Sequence, residues 1–172
     1  MTFASKLGRS YDQVRAQAKL KTIEIDAGEV KFNLKVRVPL KREMEAIVDE
    51  IAKPDSDRIQ AIYERFSRPL RESITEGGEE FLKTLNSEKQ VITVLDDDMI
   101  VDGNSIRQFA TFTAMWETKV ERYFHLIQSE TGEPVTESFA EISEEFPEPI
   151  IRQIVETIES AIRPDYKNSK KN

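Results

Sequence analysis

The stretch EVKFNLKVRVPLKREMEAIV, residues 29–48, decides the fold of this chain. In its first half Val30, Phe32, Leu34, Val36 and Val38 alternate with Lys31, Asn33, Lys35 and Arg37. A period of two puts the apolar side chains on one face of a strand, so one face meets a core and the other meets water. Pro39 lacks the N–H that a strand ladder uses and ends the strand. Beyond it the period changes to about 3.6. Leu40, Met44, Ile47, Val48 and Ile51 then fall on one side of a helix over 40–52. A half-buried strand running straight into an amphipathic helix is the signature of an α+β protein.

Upstream, residues 21–26 read as a second strand, with Ala27 and Gly28 as the tight turn of a hairpin. Leu7, Tyr11, Val14 and Ala18 keep helical spacing. They predict a marginal amphipathic helix in an amino-terminal arm, 1–20, that orders on a partner. Downstream, Pro54 stops the first helix and Asp55 or Asp57 caps the next, which turns Ile59, Ile62, Tyr63 and Phe66 inward. Pro69 is expected to break or kink that helix, and Gly77-Gly78 to form a joint before a short helical piece over 79–85.

Residues 91–95 and 99–101 read as a short strand and an extended arm on either side of Asp96-Asp97-Asp98. The turn Asp102-Gly103-Asn104, with Asn104 as N-cap, hands over to the longest and most apolar helix, 105–128. Its stripe comprises Ile106, Phe109, Ala110, Thr113, Trp116, Val120, Tyr123, Phe124 and Ile127, while Phe112, Met115 and Leu126 lie outside it. An apolar surface this wide implies burial on more than one side. A loop at 131–134 and a short helix over 137–145 follow. Pro147 and Glu148 suit the first turn of a final helix that buries Ile151, Ile154, Val155, Ile158 and Ile162. The expected fold is a small antiparallel β-hairpin or sheet from 22–38, helped by 91–101 and packed by several α-helices. It forms a single α+β domain over 21–163 with a disordered tail, 164–172.

Composition bounds the chemistry. The 172 residues contain no cysteine, which excludes disulfides, zinc-thiolate sites and thiol catalysis. No apolar run approaches the roughly 20 residues of a membrane helix, so a cytoplasmic protein is expected. The net charge of −7 is unevenly spread: residues 1–42 hold ten Lys/Arg against four Asp/Glu, leaving the remainder strongly acidic. Lys31, Lys35 and Arg37 occupy outward strand positions without interleaved aromatics, and a solvated face rather than nucleic-acid binding is expected.

His125, the one histidine, has no nucleophile motif near it. The carboxylates Asp96, Asp97, Asp98 and Asp102 fail the calcium-loop pattern because Ile100 falls at the third position counted from Asp98. A solvated turn is the default for them, and weak Mg²⁺ or Ca²⁺ binding is the other reading. Neither the Walker nor the dinucleotide glycine spacing occurs. No enzyme and no cofactor are expected.

Three stretches together resemble the tail assembly chaperones of long-tailed phages. They are GEVKFNLKVRVPLKREMEAI at 28–47, DDDMIVDGNSIRQFA at 96–110 and EEFPEPIIRQIVETI at 144–158. The resemblance covers roughly residues 30–162 and carries no catalytic residue. It implies a protein of the bacterial host cytoplasm that binds and solubilises the tape measure protein, a long and aggregation-prone helical chain, until tail tube subunits polymerise around it. It also implies a longer, frameshifted form that reaches the tail tube protein, and the A-rich codons of Lys170-Lys171-Asn172 are a candidate slippery site.

An adaptable apolar face is required for such binding, and Phe112, Met115 and Leu126 are its candidates, with core packing as the competing explanation. Apolar helix faces beyond one core's needs leave room for a homo-oligomer. A structural head–tail connector or tail terminator protein is the alternative. A basic arm acting on nucleic acid and a metal-dependent enzyme rank behind it.

Overall fold

The computed structural model describes residues 3–8, 13, 19–87 and 91–163, so the expected tail and most of the expected arm lie outside the described residues. The fold is helix-dominated α+β, with one two-stranded and one three-stranded antiparallel sheet. The residues 91–101 therefore do not extend the first hairpin; they belong to a sheet of their own. The chain divides into two compact units, Met1–Ile47 with Lys119–Asn172, and Val48–Thr118. The span 21–163, expected as one domain, falls across both.

In the first unit β1 (Leu20–Asp26) pairs with β2 (Lys31–Arg37), from Leu20 opposite Arg37 to Asp26 opposite Lys31. Ile23 and Ile25 stand opposite Leu34 and Phe32, as the alternation requires. The turn is closed by Ala27 N–H donating to the Val30 carbonyl and by Gly28 N–H donating to the Asp26 carboxylate, each at 2.9 Å. Gly28 there has φ +88°, which disfavours a side chain. Val30 belongs to this turn and is 63% exposed, so it does not join the buried face. Leu40 and Val48 are also exposed; of the expected stripe of α1 (Lys41–Ala52), Ile47 is the buried member.

Helix α3 (Ile106–Phe124) stops short of the expected residue 128 because β2 captures the chain that follows it. Arg37 N–H donates to the Leu126 carbonyl and Gln128 N–H to the Lys35 carbonyl, both at 2.8 Å, and Val36 bridges to Ile127. Helix α4 (Phe139–Glu145) opens with a capping box in which Ser138 and Glu141 satisfy each other's free N–H groups. Helix α5 (Glu148–Ile162) packs on β1 and buries Ile151, Ile154, Val155, Ile158 and Ile162, as its spacing predicts. Tyr123 is buried beside Glu159, whose carboxylate also takes Lys119 at 2.8 Å. Burial and the Glu159 charge push the Tyr123 phenol up to about 12.

In the second unit Asp55 caps α2 (Ser56–Ser87), accepting from the N–H groups of Asp57 and Arg58 at 2.8 and 3.2 Å. The helix, expected to break or kink at Pro69, runs through that residue without a break. Ile62, Tyr63 and Ser67, in the turns just before it, are buried, and that packing outweighs the one hydrogen bond proline removes. The interruption falls at Gly78, with φ 59° and ψ −152°. Strands β3 (Ile92–Val94), β4 (Met99–Val101) and β5 (Asn104–Ser105) form an antiparallel meander. Positive φ at both Asp102 and Gly103 makes the β4–β5 connection a primed turn, the kind that suits a two-residue hairpin. The core gathers Ile62 and Tyr63 from α2 with Ala110 and Ala114 from α3, and Ile59, Phe66 and Ile106 pack around them.

A Cβ on Gly77 would lie 2.3 Å from Cβ of Phe81, because the break at Gly78 lays Phe81 over it. In an uninterrupted helix Gly→Ala stabilises by about 1 kcal/mol. Here Gly77→Ala is expected to reverse that sign and destabilise by about 1–3 kcal/mol, read from the urea midpoint.

Candidate functional site

Within the acidic cluster the carboxylates of Asp98 and Asp102 hold the local fold. Asp98 Oδ1 accepts from the N–H groups of Met99 at 2.8 Å and Arg107 at 2.9 Å, and Oδ2 accepts from the Ser105 hydroxyl at 2.5 Å. Ser105 Oγ in turn accepts from Gln108 N–H at 2.9 Å. Ser105, not Asn104, therefore caps α3, and Asp98 reaches across the meander to add a second anchor. Arg107 ties the same corner from the other side: its Nε donates to the Asp97 carbonyl at 2.7 Å and its guanidinium lies 4.1 Å from the Tyr63 ring centre. Asp102 accepts from Val91 N–H at 3.0 Å. Among the described residues no three Asp, Glu or His side chains converge as metal ligands would.

Burial opposes charge on Asp98, but the Ser105 hydroxyl, the Arg107 and Met99 N–H groups and the Arg107 cation together hold its carboxyl below the usual 3.8. His125 sits just past the end of α3, with Nε2 at 3.0 Å from the Glu137 carbonyl. That contact joins it to the backbone of the segment leading into α4.

The three candidate binding residues separate. Phe112 is 57% exposed and Met115 is half-buried, both in the second unit. Leu126 is 2% exposed in the first unit, with its backbone carbonyl held by Arg37, so it is a core residue and not part of an accessible face. Phe109, placed in the buried stripe by the sequence reading, is 62% exposed and meets Phe66 edge-on with ring centres 6.0 Å apart.

The seam of α3 against α2 is made of small residues, Ala110 and Ala114, which let the helices approach closely. Phe109 is displaced to the rim of that seam, and Phe112 lies on the far side of the helix, where 100° per residue places it. Both aromatics therefore meet solvent, and half-buried Trp116 completes the i, i+3, i+7 series that begins at Phe109. The signal for this was the pair of alanines within a run of bulky residues.

No described helix is long and apolar enough to cross a membrane. Neither a protein-family model, a curated protein nor a solved structure matches this chain.

Asp98→Ala is expected to cost about 1–2 kcal/mol, the usual value of a lost helix cap. Because the Asp98 pKa is depressed by folding, its contribution is fully present above the ordinary aspartate range and fades as pH falls through the folded value, below 3.8. The stability gap between wild type and variant should therefore shrink toward strongly acidic pH in urea melts. Phe112→Ala should shift stability by less than about 0.5 kcal/mol, while Leu126→Ala should cost about 2–5 kcal/mol in the same assay.

Proposed function

We propose that this chain is a tail assembly chaperone of a long-tailed phage or prophage. In this reading it works in the host cytoplasm, binding the tape measure protein and keeping it dissolved until the tail tube forms around it. The observation that carries the reading is the exposed pair Phe109 and Phe112, 62% and 57% accessible on one helix, with half-buried Met115 beside them. Covering one such phenylalanine fully is worth about 1.5–3 kcal/mol, so the pair supplies the drive for capturing an apolar helix. Methionine adds a side chain that adapts to different contours, which a client of varied sequence requires.

A helical client would lay its apolar stripe along this face in helix-in-groove fashion. The chain's net charge of −7 then keeps the complex apart from its neighbours. The role is one of binding and involves no reaction. A longer, frameshifted form would carry the same body to the tail tube protein.

Co-expression with the tape measure protein of the same gene cluster, followed by affinity pull-down and size exclusion, tests the reading. A soluble stoichiometric complex is expected, from a partner that is insoluble when made alone, and Phe109→Asp with Phe112→Asp should weaken it by at least about tenfold. A partner that stays insoluble while this chain elutes alone overturns the proposal. So does the finding of this chain in purified particles, which a structural ring protein would give.

A further inference from the structure

A second surface, in the first unit, has a different chemistry. Phe32 and Leu34 are the outer members of the apolar face of β2 and are half-buried, whereas Val36 is fully buried. Opposite them stand Phe124, Ile142 and Phe146, the two phenylalanines packed edge-on at 6.0 Å. Between the two sets lies a cavity of about 220 Å³. Small-molecule sites are usually roughly 300–1,000 Å³, and benzene fills a void of about 150 Å³. The space therefore suits one large apolar side chain better than a metabolite.

The rim is acidic: Glu137, Glu141 and Glu145 line the opening. Glu137 accepts the N–H of Thr136, and Glu141 is committed to the Ser138 capping box. The Glu145 carboxylate has no hydrogen-bond or ion-pair partner among the described residues. A second hollow, of about 690 Å³, adjoins the first, sharing Leu34 and Ile127 with it, and Leu20 stands in its wall. Leu20 is the residue through which the amino-terminal arm enters β1.

The same chain carries the complementary feature. Residues 3–8 place Phe3 and Leu7, 76% and 48% exposed, on either side of Lys6 in a short 3₁₀ turn spanning Ala4–Leu7. A phenylalanine left that open in its own unit is not seated in that unit's groove. We propose that residues 3–8 of a second copy dock there. The Phe3 ring fills the cavity between Phe32 and Phe146, Leu7 covers the edge, and the Lys6 ammonium meets Glu145. Reciprocal exchange gives a two-fold dimer in which each copy completes the other's groove. The match of a basic, apolar turn to an acidic-rimmed, apolar pocket of single-side-chain size favours this occupant over a free metabolite or an acidic peptide.

Sedimentation velocity of the full chain, from micromolar to millimolar concentration, tests the exchange. A monomer–dimer equilibrium is expected, and Phe3→Ala, Lys6→Glu and Glu145→Lys should each weaken it by about tenfold or more, or about 1.4 kcal/mol per decade. The three side chains are exposed, so circular dichroism should show the fold kept in every variant. Lys6→Glu combined with Glu145→Lys should recover most of the lost association, a result that general electrostatic attraction does not give.

A chain that stays monomeric throughout overturns the proposal. A dimer indifferent to Phe3→Ala, or a double variant no better than its parents, does so equally. The assay uses this chain alone, so its outcome is independent of whether the tape measure protein is bound.

Discussion

Arg37 N–H donates to the Leu126 carbonyl, and Gln128 N–H donates to the Lys35 carbonyl. These two bonds give β2 a neighbour on its second edge and take the chain out of helical geometry as soon as α3 ends. They also hold Leu126, which is buried, against the end of β2. The chain leaving this pairing passes through the loop to Ser138, where the capping box starts α4. The entrance of the groove between β2 and α4 is thus a consequence of where the helix is forced to stop.

How much of this was legible in the sequence depends on whether the deciding force was local. The β1–β2 hairpin and α5 were, because alternation in one and a 3.6 period in the other are properties of adjacent residues. The Asp102-Gly103 turn was legible for the same reason. The end of α3 was not: residues 125–128 continue a helical pattern, and only pairing with a strand distant in sequence overrides it. At Pro69 a break or a kink was readable from the proline's local penalty, whereas the packing that carries the helix through without a break was not.

The candidate site was partly legible. Phe112 was picked out because it falls off the main apolar stripe, and it is exposed. Phe109 was assigned to the apolar stripe by its helical spacing, and it is exposed. Helices in close contact select small side chains, so Ala110 and Ala114 took the seam and the large ring was left at its rim. The acidic run at 96–98 read as a solvated turn, yet Asp98 is the carboxylate that fastens the start of α3. Short-range charge density said little about which of three identical side chains would find donors.

Among the described strands β1 has a strand partner on one edge only. An open edge is a template on which a foreign strand can grow, and sheet proteins guard against this with charge. In β1 the guard is built into the alternation: Ile23 and Ile25 turn inward, while exposed Glu24 and Asp26 carry negative charge and pair with Lys31 across the hairpin. An incoming extended segment would have to desolvate these groups or lie against like charge. For a chain proposed to hold an aggregation-prone partner, that is a specific form of self-protection. Its exposed aromatics can be offered from a helix, where they invite side-chain packing, while the strand edge that would invite cross-β growth carries its own deterrent.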